Sequence, residues 1–272
     1  MSASPQWQFV GNVAENYERY LVPSIFAPWA HDLIEAAALR PGERVLDIAC
    51  GTGIVARTAA QTLGDGASLV GLDLSAPMLA AARMAAKAEG VSVEWREGSA
   101  VTLPLTDATF DVALCQQGLQ FFPDQPTALR EMWRILAPSG RLVLSVWREI
   151  ERSPGFAVLA DALTHHISPA AGALMTSGPF GLSNSEALRT LIAGASFSDI
   201  TIRPALKTLR FPSSDEFVTR YVSGSALASF VARVDDDSRA AFLIDVKAKL
   251  QQYVDDQGLA FPIENNVAIA RK

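Results

Sequence analysis

A short stretch near the start of the chain constrains the fold more than any other part of the sequence. Residues 45–53 read VLDIACGTG, and an apolar-periodic segment follows from Ile54 to Leu63. This order predicts a buried parallel strand, a tight turn and the start of a helix. Glycine at Gly51 and Gly53 lets a ligand lie against bare backbone, while the unpaired N–H groups of the helix start point into the same space. Asp47 is costly to bury in this strand without a partner. We therefore expect a ligand site here.

The next strand indicates what kind of ligand this is. It is predicted from Ser68 to Leu74, and Asp73 at its tip lies 20 residues after Gly53 (73 − 53). An acid at the tip of the second strand binds a ribose diol in nucleotide-binding βαβ units. Ala56 stands where the dinucleotide fingerprint has its third glycine, which a ligand without a pyrophosphate does not require. A nucleotide is expected, and a nucleotide-dependent oxidoreductase remains an alternative.

These motifs resemble those of class I S-adenosylmethionine-dependent methyltransferases. VLDIACGTG and GLDLS are similar to the first two motifs of that family. The resemblance continues through GSAVTLPL (98–105), FDVALCQQGLQFFPD (110–124) and REMWRILAPSGRLVLSVW (130–147). It covers roughly residues 9–148 well and the remainder in outline. The most similar branch acts on small molecules and includes the ubiquinone and menaquinone biosynthesis methyltransferases.

The resemblance implies a fold, a methyl donor and a set of donor-binding residues. The fold is an α/β, Rossmann-like doubly wound sheet of seven strands with the last strand antiparallel. The donor is S-adenosyl-L-methionine, bound at the strand ends. At position 99 the family usually has Asp to accept from the adenine amino group, and a serine hydroxyl is a weaker acceptor than a carboxylate. The residues implied to bind the donor are Tyr17, Asp47, Ala49, Gly51, Gly53, Asp73, Leu74, Met78, Ser99, Ala100 and Gln116.

Five strand–helix units in series give the doubly wound sheet independently of the resemblance. Ser75 is a good N-cap for a helix from Ala76 to Glu89, which Gly90 ends. Further strands are predicted over 91–96, 110–115, 141–147, 198–211 and 259–270. Further helices are predicted over 28–39, 124–136, 154–167 and 184–193.

We expect one methyltransferase domain over residues 1–272, with an N-terminal lid segment (1–30) and a helical cap insertion (213–256). The lid contains a predicted helix from Phe9 to Tyr20. The cap is too long and too helical for a simple connection between two strands, and its apolar residues recur at three- to four-residue steps. Lid and cap are predicted to enclose an apolar acceptor pocket. The apolar cap positions are Phe217, Tyr221, Leu227, Phe230 and Val231.

The acceptor side has weaker signals. Gln120 and Phe121 follow the fourth strand and are predicted to face the acceptor, although a polar loop on the rim explains the glutamines as well. His165 and His166 are the only paired histidines, and they are candidates for a general base. A helix-surface position is the alternative for both. Met78 is likewise explained by core packing as readily as by contact with adenine.

Composition and missing motifs exclude other classes. The formal net charge is −6 and there is no Lys/Arg-rich run, so no nucleic-acid partner is expected. Cys50 and Cys115 are predicted to be reduced core thiols. We find no signal peptide, lipidation motif or apolar run of about 18 residues, so a cytoplasmic protein without membrane insertion is expected. No metal site is expected either. Neither a G-x-S-x-G elbow nor a P-loop lysine is present, which argues against hydrolases and NTPases.

The predicted function is methyl transfer to a small, largely apolar acceptor by in-line displacement, mainly through positioning and exclusion of water. The alternatives are an NAD(P)-dependent oxidoreductase built on the same βαβ unit, and a donor-binding protein without transfer activity. The sequence leaves open the acceptor, the atom methylated and the oligomeric state, a homodimer included.

Overall fold

The sheet is the scaffold of the molecule. The computed structural model describes residues 13–272, in which eight strands form one sheet. The strands are β1 (Arg44–Ile48), β2 (Ser68–Asp73), β3 (Glu94–Glu97), β4 (Phe110–Gln116), β5 (Leu136–Trp147), β6 (Ser198–Phe211), β7 (Val254–Asp255) and β8 (Gly258–Arg271).

Strand order places the ligand site. The order is β3-β2-β1-β4-β5-β8-β6, and β7 pairs only with β8 as a two-residue strand. Strands β1 to β5 are parallel, whereas β8 runs antiparallel between β5 and β6. The predicted doubly wound sheet with an antiparallel last strand is confirmed. The chain order reverses between β1 and β4, and in such sheets ligands bind in the crevice at the carboxyl ends of those strands.

Apolar side chains alternate between the two faces of the sheet along the strands, so both faces are buried. In β1, Val45 faces one helical layer while Leu46 and Ile48 face the other. Helices α2 (Ala27–Ala37) and α3 (Ile54–Leu63) cover the first face. Helices α5 (Gln125–Ile135) and α8 (Ser185–Gly194) cover the second. The result is the three-layer arrangement that apolar, two-sided parallel strands require.

The N-terminal region is more helical than predicted. A helical run begins with α1 (Val13–Asn16), continues as a π-helix (Tyr17–Phe26) and joins α2 without a break. The sequence pattern had indicated two separate helices, 9–20 and 28–39. Phe9 and Val10 lie outside the described residues. A π-helix this long is uncommon, and such segments occur most often at functional sites.

The remaining helices form the cap and the outer layer. Helix α4 (Ala76–Glu89) has its predicted bounds, with Ser75 as N-cap and Gly90 as C-cap. Helices α6 (Pro154–Ala162) and α7 (Pro169–Ser177) precede β6, with a π-helical turn (Leu163–Ile167) between them. Helix α7 was not predicted. The predicted insertion after β6 contains α9 (Ser214–Ser223), α10 (Ala228–Val231) and α11 (Asp236–Leu250).

A separate apolar core lies over the antiparallel end of the sheet, where the cap (213–256) packs against α6 and β8. Phe156 contacts Phe217 and Phe261 edge to face, with ring centroids 5.4 and 5.8 Å apart. Such aromatic pairs add to the stabilisation from buried area. Cys50 and Cys115 are free and buried, as predicted. Within residues 13–272 no helix is long and apolar enough to cross a membrane.

Candidate methyl-donor and acceptor site

The turn after β1 is built from left-handed backbone. Ala49, Gly51 and Gly53 have φ of 55°, 56° and 83°. The turn is fixed at both ends, because the Cys50 N–H donates to Leu72 O of β2 (3.0 Å) and the Gly53 N–H donates to Cys50 O (2.8 Å). A non-glycine residue with positive φ stores strain, which occurs mainly at functional sites. The turn therefore presents its backbone at the carboxyl end of the sheet, beside the start of α3.

Gly53 is required for a reason that the sequence did not reveal. A Cβ added there would lie 2.2 Å from Trp95 Cη2, and one added at Gly71 would lie 2.4 Å from Trp95 Cζ3. The Trp95 ring of the β3 region thus packs over both glycines. Gly53 does not line the cavity described below. The predicted contact of Gly53 with the donor stays a prediction, and the role that the structure shows is close packing against Trp95.

Asp47 is a buried carboxyl that binds the first turn of α3. It is 1% exposed, and its Oδ2 accepts a hydrogen bond from the Ala56 N–H in the first turn of α3 (3.0 Å). Burial raises the pKa of Asp47 to about 8, against the lowering effect of the Ala56 hydrogen bond. Asp47 does not line the cavity, so its predicted contact with the donor stays a prediction. Its visible structural role is to tie α3 to β1.

Asp73, at the tip of β2, is the acidic group of the site. Its Oδ2 accepts from the Gly51 N–H (2.8 Å) and its Oδ1 accepts from the Ser75 N–H (2.8 Å). Burial raises the pKa of Asp73, and no cation of the described chain offsets that effect. The carboxylate lines the cavity, and each oxygen keeps a further lone pair for a ligand hydroxyl. A pair of hydroxyl donors from a ligand fits this position.

A second turn, after β4, faces the first. Gln117 has φ 53°, and a Cβ at Gly118 would lie 2.8 Å from Ala49 Cβ, so the two turns touch. Gln116 donates through Nε2 to Phe26 O of the π-helix (3.0 Å), and its buried Oε1 has no hydrogen-bond partner among residues 13–272. Because the bond to Phe26 fixes the amide orientation, Oε1 is left as an acceptor at the edge of the cavity.

One large cavity of about 600 Å³ opens between these turns and the cap. This volume is in the usual range for small-molecule sites, about 300–1,000 Å³. Of the residues predicted to bind the donor or the acceptor, the following line it: Tyr17, Ala49, Gly51, Asp73, Leu74, Met78, Ser99, Ala100, Gln116 and Phe121.

Gln120 does not line the cavity, contrary to the prediction. Its side chain is buried and donates through Nε2 to Gln117 Oε1 (3.0 Å), while Gln117 donates onward to Ser145 Oγ (3.4 Å). These two hydrogen bonds connect Gln120 through Gln117 to Ser145 of β5 and so stabilise the turn after β4. The glutamines of this segment are therefore neither all ligand contacts nor a solvated rim.

The general-base role predicted for His165 and His166 stays a prediction, and their position in the structure gives it no support. They lie in the π-helical turn after α6, away from the cavity lining. His165 Nδ1 lies 3.2 Å from Asp161, and His166 Nε2 lies 3.2 Å from Asp245. The His165 side chain is 65% exposed. Both histidines belong to a surface charge cluster, the alternative that the sequence had left open.

The cap end of the cavity is aromatic and aliphatic. Its wall comes from the π-helix, from the region of α6 and α7, and from the segment between α9 and α10. The sequence had predicted Tyr221 and Leu227 correctly, but Phe230 and Val231 do not reach the cavity, and Phe217 lies in the core behind it. The residues lining this end are Leu21, Ile25, Phe26, Trp147, Phe156, Leu174, Met175, Pro179, Phe180, Tyr221, Ala226 and Leu227.

Few titratable groups face the cavity. Among the described residues that line it, they are Tyr17, Asp73 and Tyr221. Burial raises the pKa of Tyr17 well above its usual value, and the nearby Asp73 charge adds to that shift. Burial alone raises the pKa of Tyr221. Both phenols are neutral near pH 7, so neither is a base there.

Fold and site together define a class of protein. A crevice at the switch point of a doubly wound sheet, a glycine turn at a helix start and an acid at the tip of the second strand are the features of a nucleoside-binding α/β enzyme. Residues 46–144 match the family model described as a methyltransferase domain.

Two relatives define the family more closely. A demethylmenaquinone methyltransferase of Thermus thermophilus is 35% identical over 181 residues, which are 62% of this chain and 81% of that protein. A ubiquinone/menaquinone biosynthesis C-methyltransferase of Ruegeria is 34% identical over 149 residues, 54% of this chain and 59% of that protein.

Solved structures show the same fold. The YcgJ protein of Bacillus subtilis has a TM-score of 0.59 at 20% identity and covers 89% of this chain and 97% of its own. A phosphoethanolamine N-methyltransferase of Haemonchus contortus, in complex with S-adenosyl-L-methionine, has a TM-score of 0.60 at 20% identity over 95% of this chain and 56% of its own. At this identity the likeness concerns the fold alone.

The chain belongs to the class I S-adenosylmethionine-dependent methyltransferases, in the small-molecule branch that contains the quinone-biosynthesis enzymes. It is an enzyme, and its methyl donor is S-adenosyl-L-methionine. The alternative of an oxidoreductase finds no support in these relatives. Asp73, which has no cationic partner among residues 13–272, and the bare backbone of Gly51 fit the donor's ribose and the chain beside it.

Proposed function

We propose that the enzyme methylates a small, uncharged and largely apolar acceptor held under the cap. The observation that carries this proposal is the lining of the cap end, where Phe156, Phe180, Trp147 and Leu174 meet and no Lys, Arg, Asp or Glu among the described residues takes part. An ionic acceptor would lose its hydration there without gaining a partner. An apolar ring gains free energy from the same transfer.

The donor occupies the other end of the cavity in this proposal. Asp73 accepts hydrogen bonds from the two ribose hydroxyls, and Ser99 accepts from the adenine amino group. Leu74 and Met78 pack on the faces of the base. The support is that all four of these residues line the same cavity as Gly51. The remaining predicted residues of this set are Tyr17, Ala49, Ala100 and Gln116.

The residues act by positioning and by excluding water. When bound, S-adenosyl-L-methionine supplies a methyl group on a sulfonium, which is already a strong electrophile. The in-line geometry that transfer requires comes from two rigid turns, since Gly118 packs directly on Ala49. The π-helix and the cap shield this point from bulk water. Tyr17 stacks on Phe26 with ring centroids 4.9 Å apart, which fixes the ring at the cavity wall.

No general base is assigned. Tyr17 and Tyr221 are held neutral by burial, and Asp73 is committed to the Gly51 and Ser75 N–H groups. The acceptor therefore binds uncharged and releases its proton to solvent as the bond to the methyl group forms or just afterwards. Acidic phenols, thiols and carbon acids release that proton most easily.

A quinone-type ring is the first acceptor class to test. The relatives at 34–35% identity are named for demethylmenaquinone and for ubiquinone/menaquinone biosynthesis, and the aromatic wall of the cap end suits a flat apolar ring. The whole of residues 1–272 is proposed as one methyltransferase domain. In this proposal the lid (1–30), of which residues 13–30 are described, and the cap (213–256) cover the cavity together with the region of α6 and α7.

Calorimetry and a turnover screen test the proposal. S-adenosyl-L-methionine and S-adenosyl-L-homocysteine should bind, while NAD should not. In the screen, neutral one- and two-ring hydroquinones and phenols should be methylated, and charged amines such as phosphoethanolamine should not. Turnover of the charged amines alone would refute the apolar, uncharged acceptor. Absence of donor binding would refute the donor site.

A further inference from the structure

Arg57 is a buried cation next to the donor turn. It lies in the first turns of α3, where its N–H donates to Gly53 O (2.8 Å), and its side chain is 3% exposed. A buried guanidinium is costly unless charged partners surround it. The identity of those partners therefore shows which parts of the molecule this residue holds together.

Two carboxylates from different elements pair with Arg57. Nη2 donates to Glu18 Oε1 (2.7 Å), and Nη1 donates to Glu89 Oε1. Glu18 belongs to the π-helix and Glu89 is the last residue of α4, where Gln61 Nε2 also donates to it (3.1 Å). Arg57 thus connects α3, which follows the donor turn, to the π-helix and α4, both of which line the cavity through Tyr17 and Met78.

The contact with Glu18 reaches the cavity through a single peptide bond. Tyr17 is the residue before Glu18, and it lines the cavity. A Cβ placed on Gly51 would lie 4.0 Å from Tyr17 Cε1, so the ring covers the glycine turn. A second polar contact holds the other end of the π-helix, where Gln116 Nε2 donates to Phe26 O (3.0 Å). The Arg57–Glu18 ion pair links the start of the π-helix, next to Tyr17, to the helix that follows the donor turn.

We propose that Arg57 is a positioning residue that holds the π-helix closed over the donor through Glu18. Glu89 secures the guanidinium to α4 and does not itself hold the π-helix. The inference rests on the proposed donor site. It predicts that the two carboxylates, alike in their contact with Arg57, differ in their effect on donor binding.

A matched pair of variants separates this role from plain stabilisation. Glu18→Gln and Glu89→Gln each remove one charge and leave Arg57 with one carboxylate, so both should lower the melting temperature. Only Glu18→Gln should loosen the π-helix. If the closed state falls to about one-fifth of the population, the Kd for S-adenosyl-L-homocysteine rises about fivefold, while Glu89→Gln stays within about twofold.

A third variant tests whether Glu18 acts through Arg57. In an Arg57→Met background, adding Glu18→Gln should raise Kd no further, since the link is already broken. Should Arg57→Met fail to fold by circular dichroism, Arg57→Gln replaces it, because its side chain is polar but carries no charge and cannot form an ion pair with Glu18. Hydrogen exchange should also show faster exchange over residues 13–26 in Glu18→Gln alone.

The outcomes are distinct. An unchanged Kd in Glu18→Gln, or equal rises in Glu18→Gln and Glu89→Gln, would overturn the positioning role while leaving the donor site intact. Additive effects of Arg57→Met and Glu18→Gln would also overturn it. If the unaltered enzyme fails to bind S-adenosyl-L-homocysteine, the donor site itself is wrong and the role of Arg57 falls with it.

Discussion

Replacing Asp73 by Asn tests the donor site directly. The change keeps the size of the side chain but removes its charge. In the structure the two carboxylate oxygens accept from the N–H groups of Gly51 and Ser75, both at 2.8 Å. The amide has one acceptor oxygen, so one of these N–H groups then faces an NH₂ group. The variant weakens the turn and the proposed ribose contacts together.

The size of the effect follows from the two proposed ribose bonds. A hydrogen bond to a charged group contributes about 1.5–3 kcal/mol and a neutral one about 0.5–1.5 kcal/mol. Losing charge assistance at two bonds costs about 2–3 kcal/mol, which is about a 30- to 150-fold rise in Kd.

Isothermal titration with S-adenosyl-L-homocysteine measures this change. Asp65→Asn is the matched control, because Asp65 is an exposed residue in the turn after α3. Its Kd should equal that of the unaltered enzyme. A folded Asp73→Asn variant with an unchanged Kd would refute the ribose assignment.

Three further variants test the surroundings of the site. Gly53→Val should lower the melting temperature by several degrees, because its Cβ would clash with the Trp95 ring and because a φ of 83° is strained for valine. Adding Trp95→Ala should restore part of that loss. A Gly53→Val melting temperature equal to that of the unaltered protein would contradict the packing argument. Burial raises the pKa of Asp47 to about 8, above its usual value of about 3.9 in an unfolded chain. The stability that protonation of Asp47 contributes is complete below pH about 4 and is lost as pH rises through about 8. Between pH about 6 and 9 the melting temperature should therefore fall less in Asp47→Asn than in the unaltered protein. Melting temperatures that fall in parallel in the two proteins would disprove the pKa shift. Phe156→Leu should raise the KM for the acceptor but leave donor Kd unchanged, since the ring lines the cap end; equal effects on both would contradict the division of the cavity.

The sequence predicted local structure best where end signals agree with the apolar period. The helix Ala76–Glu89 has its predicted bounds because Ser75 accepts from the Met78 N–H and Gly90 adopts left-handed backbone. The strand Ser198–Phe211 was also predicted with its observed bounds. The third strand was predicted from Val91, but pairing with β2 begins only at Glu94. A pairing partner is not visible in a local pattern.

Contacts between distant segments could not be predicted. Trp95 lies over Gly53 and Gly71, and nothing in the spacing of three residues indicates that one ring covers two glycines. His166 binds Asp245, 79 residues along the chain, which removes it from the active face. The resemblance predicted the residues of the proposed donor wall, since they lie in recognisable motifs. It did not supply the acceptor wall, where Phe180 follows a helix that the periodicity had not revealed.

The two ends of the cavity are encoded in separate stretches of the chain. Apart from Tyr17 and its helix, the proposed donor wall is complete by Pro123, whereas most of the proposed acceptor wall comes from α6, α7 and the segment from α9 to α10. Those cap segments leave and rejoin the sheet at β5, β6 and β8, its antiparallel end. Substitutions that reshape the cap leave the glycine turn and Asp73 untouched. Substitution within the cap segments, or their exchange for those of a relative, can therefore change the acceptor that such a chain accepts. The donor that it uses stays the same.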